Sequence, residues 1–314
     1  MPRVKRMFFV PFFAFFIAYL FFFLLKTPEY AAKCCFDSVV LCLTKVIPTL
    51  FPFLVLNEII FSTGLSCYLG NRFGKIIGKI FCISDESAIC FLSGCLFGFP
   101  IGTKSVVDLC KKDSISNSEA EKLVCFCSNT GPALAIGFVS SILGNSKVAF
   151  CIYFSQILSA IVIGLFLRKK SCDKNISANR QCNIRLSSIP KAIGNSVFPM
   201  LNVCAFVCFF SCVIYSVEGF LFSLNLNEYT EALITGFFEL TNGINKLYDL
   251  PIDNLSVWLC AFFVGWSGIS VIMQSISIMS ERGLKYKNFI ISKLVQGILC
   301  ANLSVLICKL FNLY

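Results

Sequence analysis

The sequence contains no histidine, and charged residues make up only 14% of its 314 residues. The absence of histidine excludes histidine-ligated metal sites and catalysis by a histidine base. Soluble domains carry roughly 25% charged residues, whereas 57% of this chain is hydrophobic. The composition therefore predicts a polytopic membrane protein.

Several other features are missing. The chain has neither a Gly-x-Ser-x-Gly motif nor a phosphate-binding loop, so we expect no enzyme, no catalytic residue, no metal and no cofactor. The net charge of +10 is spread over separated loops, which argues against nucleic acid as a partner. The 19 cysteines lie mostly inside apolar runs and lack zinc-site spacing. We interpret them as small packing residues in a reducing setting.

One stretch combines an apolar run with helix breakers and charge. Gly98, Pro100 and Gly102 should interrupt a helix, because glycine favours bends and proline donates no backbone hydrogen bond. Lys104 and Asp108 follow, four residues apart, so they share a helix face and could pair. A broken helix with intramembrane charge is typical of a transport site. The alternative is a loop whose Lys104 reaches the lipid head groups.

The apolar runs predict about seven transmembrane helices and two re-entrant hairpins, hence an all-α fold. The N-terminal run is long enough to span a bilayer and is expected to be an uncleaved signal anchor. The predicted organisation is an N-terminal signal-anchor helix (1–37), a first repeat (38–168), a basic cytoplasmic linker (169–191) and a second repeat (192–314).

Each repeat is predicted to consist of a transmembrane span, a re-entrant hairpin, a broken span and a second unbroken span. In the first, the polar run 128–132 ends in Gly-Pro and predicts unwinding at membrane depth. In the second repeat, a hairpin begins at Thr235-Gly236, and the run 265–268 corresponds in position to the run 128–131 of the first repeat. Basic residues gather in the N-terminus and in four other segments, whereas acidic residues surround the second hairpin. The positive-inside rule then places the N-terminus in the cytoplasm and the C-terminus outside, with the repeats inverted.

Inverted repeats with broken elements describe secondary transporters. We expect the substrate between the hairpin tips and the unwound spans, where half-helix N-termini suit an anion. Glu239 could carry a proton or cation, or pair with Lys246. The candidate substrate-binding residues are Gly98, Pro100, Gly102, Thr103, Lys104, Asn129, Thr130, Gly131, Glu239, Asn242, Gly243, Ser267 and Gly268.

At these motifs the sequence resembles a known family. Phe51-Pro52-Phe53, the run from Gly98 to Lys104, Asn129-Thr130-Gly131-Pro132 and Phe238 to Gly243 are similar to those of YlbJ-type sporulation integral membrane proteins. These belong to the nucleoside-recognition (Gate) domain group, similar in layout to concentrative nucleoside transporters. The resemblance covers about 44–311. It implies a role in endospore formation, in the mother-cell/forespore membrane, with dipicolinate as cargo.

Two other functions stay open at this point. One is a nucleoside carrier, which only the name of the domain group suggests. The other is a morphogenetic membrane protein that organises assembly of the spore envelope without moving a solute, although such a scaffold has no need of intramembrane Gly/Pro breaks. The expected partners are a small anion and the lipid bilayer, and a homo-oligomer is compatible with the sequence.

Overall fold

The structure of the chain is a computed structural model that describes residues 3–168, 186–222 and 226–313. All regular elements in these ranges are helical, so the predicted all-α class is confirmed there. Most of the predicted basic linker lies outside the described residues. The helices are α1 (Arg3–Lys26), α2 (Pro28–Leu41), α3 (Ile47–Ser62), α4 (Leu65–Leu69), α5 (Lys75–Phe81), α6 (Asp85–Phe97), α7 (Ile101–Lys111), α8 (Asn117–Cys127), α9 (Val139–Leu143), α10 (Ser146–Phe166), α11 (Ser188–Phe222), α12 (Glu228–Phe238), α13 (Leu240–Asn245), α14 (Asn254–Trp266), α15 (Gly268–Ser280) and α16 (Lys287–Leu310).

Among the described residues, four helical stretches are long and apolar enough to cross a membrane: α10, most of α11, α14 continued by α15, and α16. Three bent pairs raise the number to as many as seven if each pair is one span: α1 with α2, α3 with α4, and α5 with α6. The upper number of spans equals the predicted number, but the segments that form the spans differ from the predicted ones. The predicted broken span that contains the polar run 128–132 is not among these stretches, whereas α5 with α6 is. Large apolar side chains such as Phe166 and Phe198 are exposed, as a lipid-facing surface requires.

The first hairpin is formed by α6 and α7, which fold back on each other around Gly98. This glycine ends α6 with φ +80°. A Cβ added to Gly102 would lie 2.8 Å from the Cα of Gly94, so the two arms touch on either side of the bend. With 13 and 11 residues, the arms are about 20 Å and 16 Å long. Neither alone reaches across a hydrocarbon core of about 30 Å.

The second hairpin is formed by α12 and α13, on either side of an extended Glu239. A Cβ on Gly243 would lie 2.1 Å from the Cα of Gly236, so these arms also meet across glycines. They contain 11 and 6 residues, about 16 Å and 9 Å of helix. The chain therefore turns back twice with arms too short to cross a bilayer singly.

Two longer stretches are interrupted. The helix α8 ends at Cys127, residues 128–131 are not helical, and a helical stretch resumes at Pro132 and runs through a π-helical segment (Ala133–Phe138) into α9. The helix α14 ends before Ser267, and both Ser267 and Gly268 have left-handed backbones, with φ +73° and +79°. Both breaks lie where the Gly-containing polar runs predict them.

Contacts between distant loops define one end of the helical bundle. Lys111 forms an ion pair with Glu281, and Arg282 forms one with Asp113. The end of α7, the start of α8, the end of α15 and the start of α16 therefore lie together. Two of the segments in which basic residues gather, 111–122 and 282–287, share this end.

The opposite end contains the starts of α10, α12 and α14 and the end of α16. Asn145, before α10, donates from its side-chain amide to the carbonyl of Leu313, after α16, at 2.9 Å. Tyr229, in the first turn of α12, donates to the carboxylate of Asp253 at 3.1 Å. The first hairpin thus opens at one end of the bundle and the second hairpin at the other.

Among the described residues, two groups of buried apolar side chains hold the helices together. A large core joins α6, α7, α8 and α10 to α14, α15 and α16. A smaller core lies between α3, α7 and α11 and contains Leu54, Ile101, Met200 and Val203. Because both cores draw on each predicted repeat, the two repeats interleave rather than form separate bodies.

Candidate functional site

The two chain breaks touch each other. The hydroxyl of Thr130, in the first break, donates to the carbonyl oxygen of Val264 at 2.8 Å. Val264 lies in the last turn of α14, where carbonyl groups lose their helical partners because the helix ends. Thr130 supplies the missing donor, and the two unwound segments are joined.

The tip of the first hairpin lies against the first break. A Cβ on Gly98 would lie 2.5 Å from the backbone nitrogen of Gly131, and one on Gly94 or Gly102 would lie within 2.0 Å of the carbonyl oxygen of Cys127. Since these neighbours are backbone atoms, they cannot move aside as a flexible side chain can. Glycine at these positions is what allows the hairpin to approach the break. Pro100 follows a cis peptide bond at the tip and precedes α7.

The tip of the second hairpin lies against the second break in the same manner. A Cβ on Gly268 would lie 3.0 Å from the nitrogen of Leu240 and 3.1 Å from the carbonyl oxygen of Phe238. Gly243 lies one turn behind the tip, against Gly236 and the ring of Phe263. Each break therefore holds one hairpin tip, and all four elements converge.

Glu239 caps the half-helix α13. Its carboxylate accepts hydrogen bonds from the backbone nitrogens of Thr241 (3.1 Å) and Asn242 (2.8 Å) and from the Thr241 hydroxyl (2.5 Å). Lys246 lies 3.7 Å from Glu231. Pairing of Glu239 with Lys246 is thus not what the structure shows, whereas a role of Glu239 as proton or cation carrier stays a prediction.

Lys104 is engaged in a charge cluster behind the hairpin tip. Its Nζ lies 2.5 Å from Glu58 and 2.7 Å from Asp108, so the pairing anticipated from the four-residue spacing is present. The side-chain amide of Asn195 also donates to Glu58, at 2.9 Å. The cluster links α7 to α3 and α11. The contribution of Lys104 to substrate binding stays a prediction.

The polar side chains of the first break lie in a buried network. Ser275 of α15 has its hydroxyl oxygen 3.4 Å from that of Thr103 and 3.5 Å from that of Ser128. Asn129 donates to the carbonyl of Phe126 at 2.9 Å and accepts a hydrogen bond from Gln296 at 2.8 Å. The hairpin, the break, α15 and α16 are thereby linked by polar contacts.

A central member of this network is one that the sequence reasoning missed. Lys293 in α16 has 0% exposed surface, and its Nζ donates to the carbonyl of Ser128 and to the side-chain oxygen of Gln296, both at 2.8 Å. The available signal was a lysine followed three residues later by a glutamine inside an apolar run. Its burial depends on how α16 packs against α8, which no local pattern reveals.

The remaining predicted residues lie at the second break and hairpin. The hydroxyl of Ser267 is buried and has no hydrogen-bond partner among the described residues, and Asn242 contributes its backbone nitrogen to the Glu239 cap. In the part of the chain that the structure describes, no group of three or more cysteine, aspartate or glutamate residues could hold a metal ion.

Comparison with known proteins gives one relevant relative. The chain is 24% identical over 306 residues to the sporulation integral membrane protein YlbJ of Bacillus subtilis (strain 168), covering 84% of this chain and 74% of the relative. No model of a protein family matches the chain, and no solved structure does. The similarity supports the resemblance to YlbJ-type proteins. With the apolar helices, it makes the chain an integral membrane protein similar to a sporulation protein.

Proposed function

We propose that this protein is a transporter that moves a small anionic metabolite across the membrane around the forespore, and we name dipicolinate as the substrate. One observation carries the proposal: two broken helices join at Thr130 and Val264, and each holds the tip of a hairpin. A site built from discontinuous helices near the middle of the bundle is the architecture that secondary transporters use. Such a carrier requires no catalytic residue.

The arrangement of the hairpins supports an inverted repeat. One hairpin opens where Lys111 meets Glu281, and the other opens where Tyr229 meets Asp253. We propose that the first of these ends is cytoplasmic, because the basic segments gather there. The N-terminus then lies in the cytoplasm and the C-terminus outside.

The helix termini at the site support an anionic substrate. The helices α7 and α15 start beside the breaks, and no side chain caps either N-terminus. Their first backbone N–H groups and the positive end of the helix dipole favour negative charge. At the comparable start of α13, the Glu239 carboxylate accepts hydrogen bonds from two backbone N–H groups. A helix N-terminus of this protein therefore binds a carboxylate group.

Dipicolinate combines two such carboxylates on a planar aromatic ring. The choice of this compound rests on the resemblance to YlbJ-type proteins and on the name of the relative, which refers to sporulation. The proposed partners are this anion and the bilayer.

A binding experiment tests the proposal. The purified protein in detergent is heated with and without dipicolinate, with uridine as the parallel ligand. We expect dipicolinate to raise the melting temperature and uridine to leave it unchanged. Ser267→Ala should weaken the effect, since its buried hydroxyl has no hydrogen-bond partner among the described residues. Ser280→Ala, at the exposed end of the helix that follows Ser267, should not. Stabilisation by uridine alone would support a nucleoside carrier, and no effect of either would contradict the proposal.

A further inference from the structure

Lys293 is a buried lysine without a counter-charge. Among the lysines and arginines whose side chains the structure describes, no other is fully buried, and no aspartate or glutamate of the described residues forms an ion pair with Lys293. Its two acceptors, the Ser128 carbonyl and the Gln296 side-chain oxygen, are neutral. A buried ammonium in such surroundings is costly until an opposite charge reaches it.

The number of acceptors around Nζ is informative. A neutral lysine amine has two N–H groups, and an ammonium has three. The two acceptors at 2.8 Å match the amine. For the ammonium, the described residues leave one N–H without an acceptor. The described residues around Nζ therefore satisfy every N–H group of the amine. For the ammonium they lack one hydrogen-bond acceptor and one negative charge.

The location of Lys293 links it to the proposed substrate site. Ser128 directly follows α8, where terminal carbonyl groups lack helical partners and carry the negative end of the helix dipole. The side-chain amide nitrogen of Gln296 donates a hydrogen bond to the side-chain oxygen of the neighbouring Asn129 at 2.8 Å. Transporters coordinate a coupling ion at such half-helix C-termini. Here the position is taken by a side chain that can itself carry a proton.

The titratable groups on α16 and on the helices packed against it are mainly thiols and cations. The thiols are those of Cys125 and Cys127 on α8, Cys151 on α10, Cys260 on α14, and Cys300 and Cys308 on α16. The other groups are the phenol of Tyr153 and the amine of Lys147 on α10, Lys122 on α8, Lys287 and Lys309 on α16, and Glu119 on α8, which accepts a hydrogen bond from the Ser87 hydroxyl at 2.9 Å. The carboxylate of Glu121 on α8 instead accepts a hydrogen bond from the backbone nitrogen of Lys285 at 2.9 Å. No carboxylate of the described residues is thus placed to exchange a proton with Lys293.

We propose that Lys293 takes up one proton with each anion that binds beside residues 128–131 and releases it when the anion leaves. This inference rests on the proposed function. A proton from water adds to the lone pair of Nζ and forms the third N–H bond, which a carboxylate of the anion accepts. No electron is transferred. The ammonium and the carboxylate that it contacts form a neutral pair, and the second carboxylate of dipicolinate keeps its charge. The carrier then moves one proton together with each anion.

Binding of labelled dipicolinate is measured by equilibrium dialysis between about pH 7 and pH 9, where its carboxyl groups stay ionised. We expect the affinity of the wild-type protein to fall with rising pH, by up to about tenfold per pH unit, as for any ligand that binds with one proton. In weakly buffered solution, a pH indicator should record uptake of about one proton for each anion bound.

Lys293→Met should abolish the proton uptake, and Lys309→Met, on the exposed end of the same helix, should keep it. Lys293→Gln serves as a second variant, since it retains a hydrogen-bond donor but cannot titrate. Binding by the wild-type protein without proton uptake, or undiminished uptake in a folded Lys293 variant, would overturn the inference and leave the proposed function standing. Absence of dipicolinate binding by the wild type at every pH would overturn the proposed function itself. If neither Lys293 variant folds, the wild-type measurement tests the inference: proton uptake with the anion supports it, and binding without proton uptake contradicts it.

Discussion

Gly98 and Gly131 are in backbone contact: a Cβ on Gly98 would lie 2.5 Å from the nitrogen and 2.8 Å from the Cα of Gly131. Gly98 is the bend of the first hairpin, and Gly131 is the last residue of the first break. Their approach fixes where the hairpin tip rests on the unwound segment. The geometry of the candidate site therefore depends on the absence of two side chains.

Replacing Gly98 should show this dependence. Gly98→Ala adds a Cβ against backbone atoms and forces alanine into a positive-φ, extended region that is almost restricted to glycine, which costs about 1–3 kcal/mol. We expect a lower melting temperature of the purified protein and weaker dipicolinate binding. Gly137→Ala is the matched control, because beyond the backbone of its own helix no atom of the described residues lies within 4 Å of its added Cβ. Equal stability of the two variants would contradict the proposed contact.

The charge cluster around Lys104 should be structural. Lys104→Met leaves Glu58 and Asp108 without their shared cation, and loss of one partner from a largely buried pair costs about 3 kcal/mol. We expect a smaller yield of monodisperse protein and a lower melting temperature. The triple variant Lys104→Met, Glu58→Gln, Asp108→Asn removes every charge and should recover much of the loss. If Lys104→Met folds normally but binds no dipicolinate, Lys104 acts on the substrate instead.

Opposite orientation of the two hairpins can be tested by labelling. In a variant without cysteine, Ser280→Cys and Asp249→Cys each introduce one exposed thiol, near opposite ends of the bundle. A membrane-impermeant maleimide added outside intact cells should modify the thiol at 249 and reach the thiol at 280 only after lysis. Modification of both from the same side would exclude the inverted arrangement.

Asp253 should stabilise the second broken helix through its cap. It accepts backbone hydrogen bonds from Leu255 and Ser256 at the start of α14. Burial raises the pKa of Asp253, but hydrogen bonds from Ser256 and Tyr229 lower it by more, so that the pKa lies below its ordinary value of 3.8. Because the folded-state pKa is lowered, the stabilisation is present above about pH 4 and is lost as the pH falls through that lowered pKa.

Asp253→Ala should accordingly lower the stability near neutral pH by about 1 kcal/mol, as expected for an N-cap. The difference in melting temperature from the wild type should shrink below about pH 4. A difference that stays constant down to acid pH would show that the ionised carboxylate contributes nothing.

The features that could be predicted from the sequence are those encoded locally. The Gly-Pro and Gly-rich runs at 98–102, 128–132 and 265–268 predict the breaks, because these residues interrupt helices wherever they occur. The pairing of Lys104 with Asp108 follows from their spacing on one helix. These elements are found where expected.

The features that escaped prediction depend on packing between distant segments. Glu58 and Asn195 reach Lys104 only because α3 and α11 pack together beside α7. Lys293 reaches Ser128 only because α16 lies against α8. The capping role of Glu239 depends on the exact residue at which α13 begins, which sequence patterns define poorly.

Uptake of labelled dipicolinate by proteoliposomes tests the central claim most directly. Purified wild-type protein, shown to be folded, is reconstituted and compared with Ser267→Ala, with Ser280→Ala and with protein-free vesicles, and uridine is the parallel substrate. We predict saturable dipicolinate uptake by the wild type and by Ser280→Ala, reduced uptake by Ser267→Ala, and none of uridine. Folded wild-type protein that moves neither compound would contradict the account and favour a morphogenetic role in spore-envelope assembly.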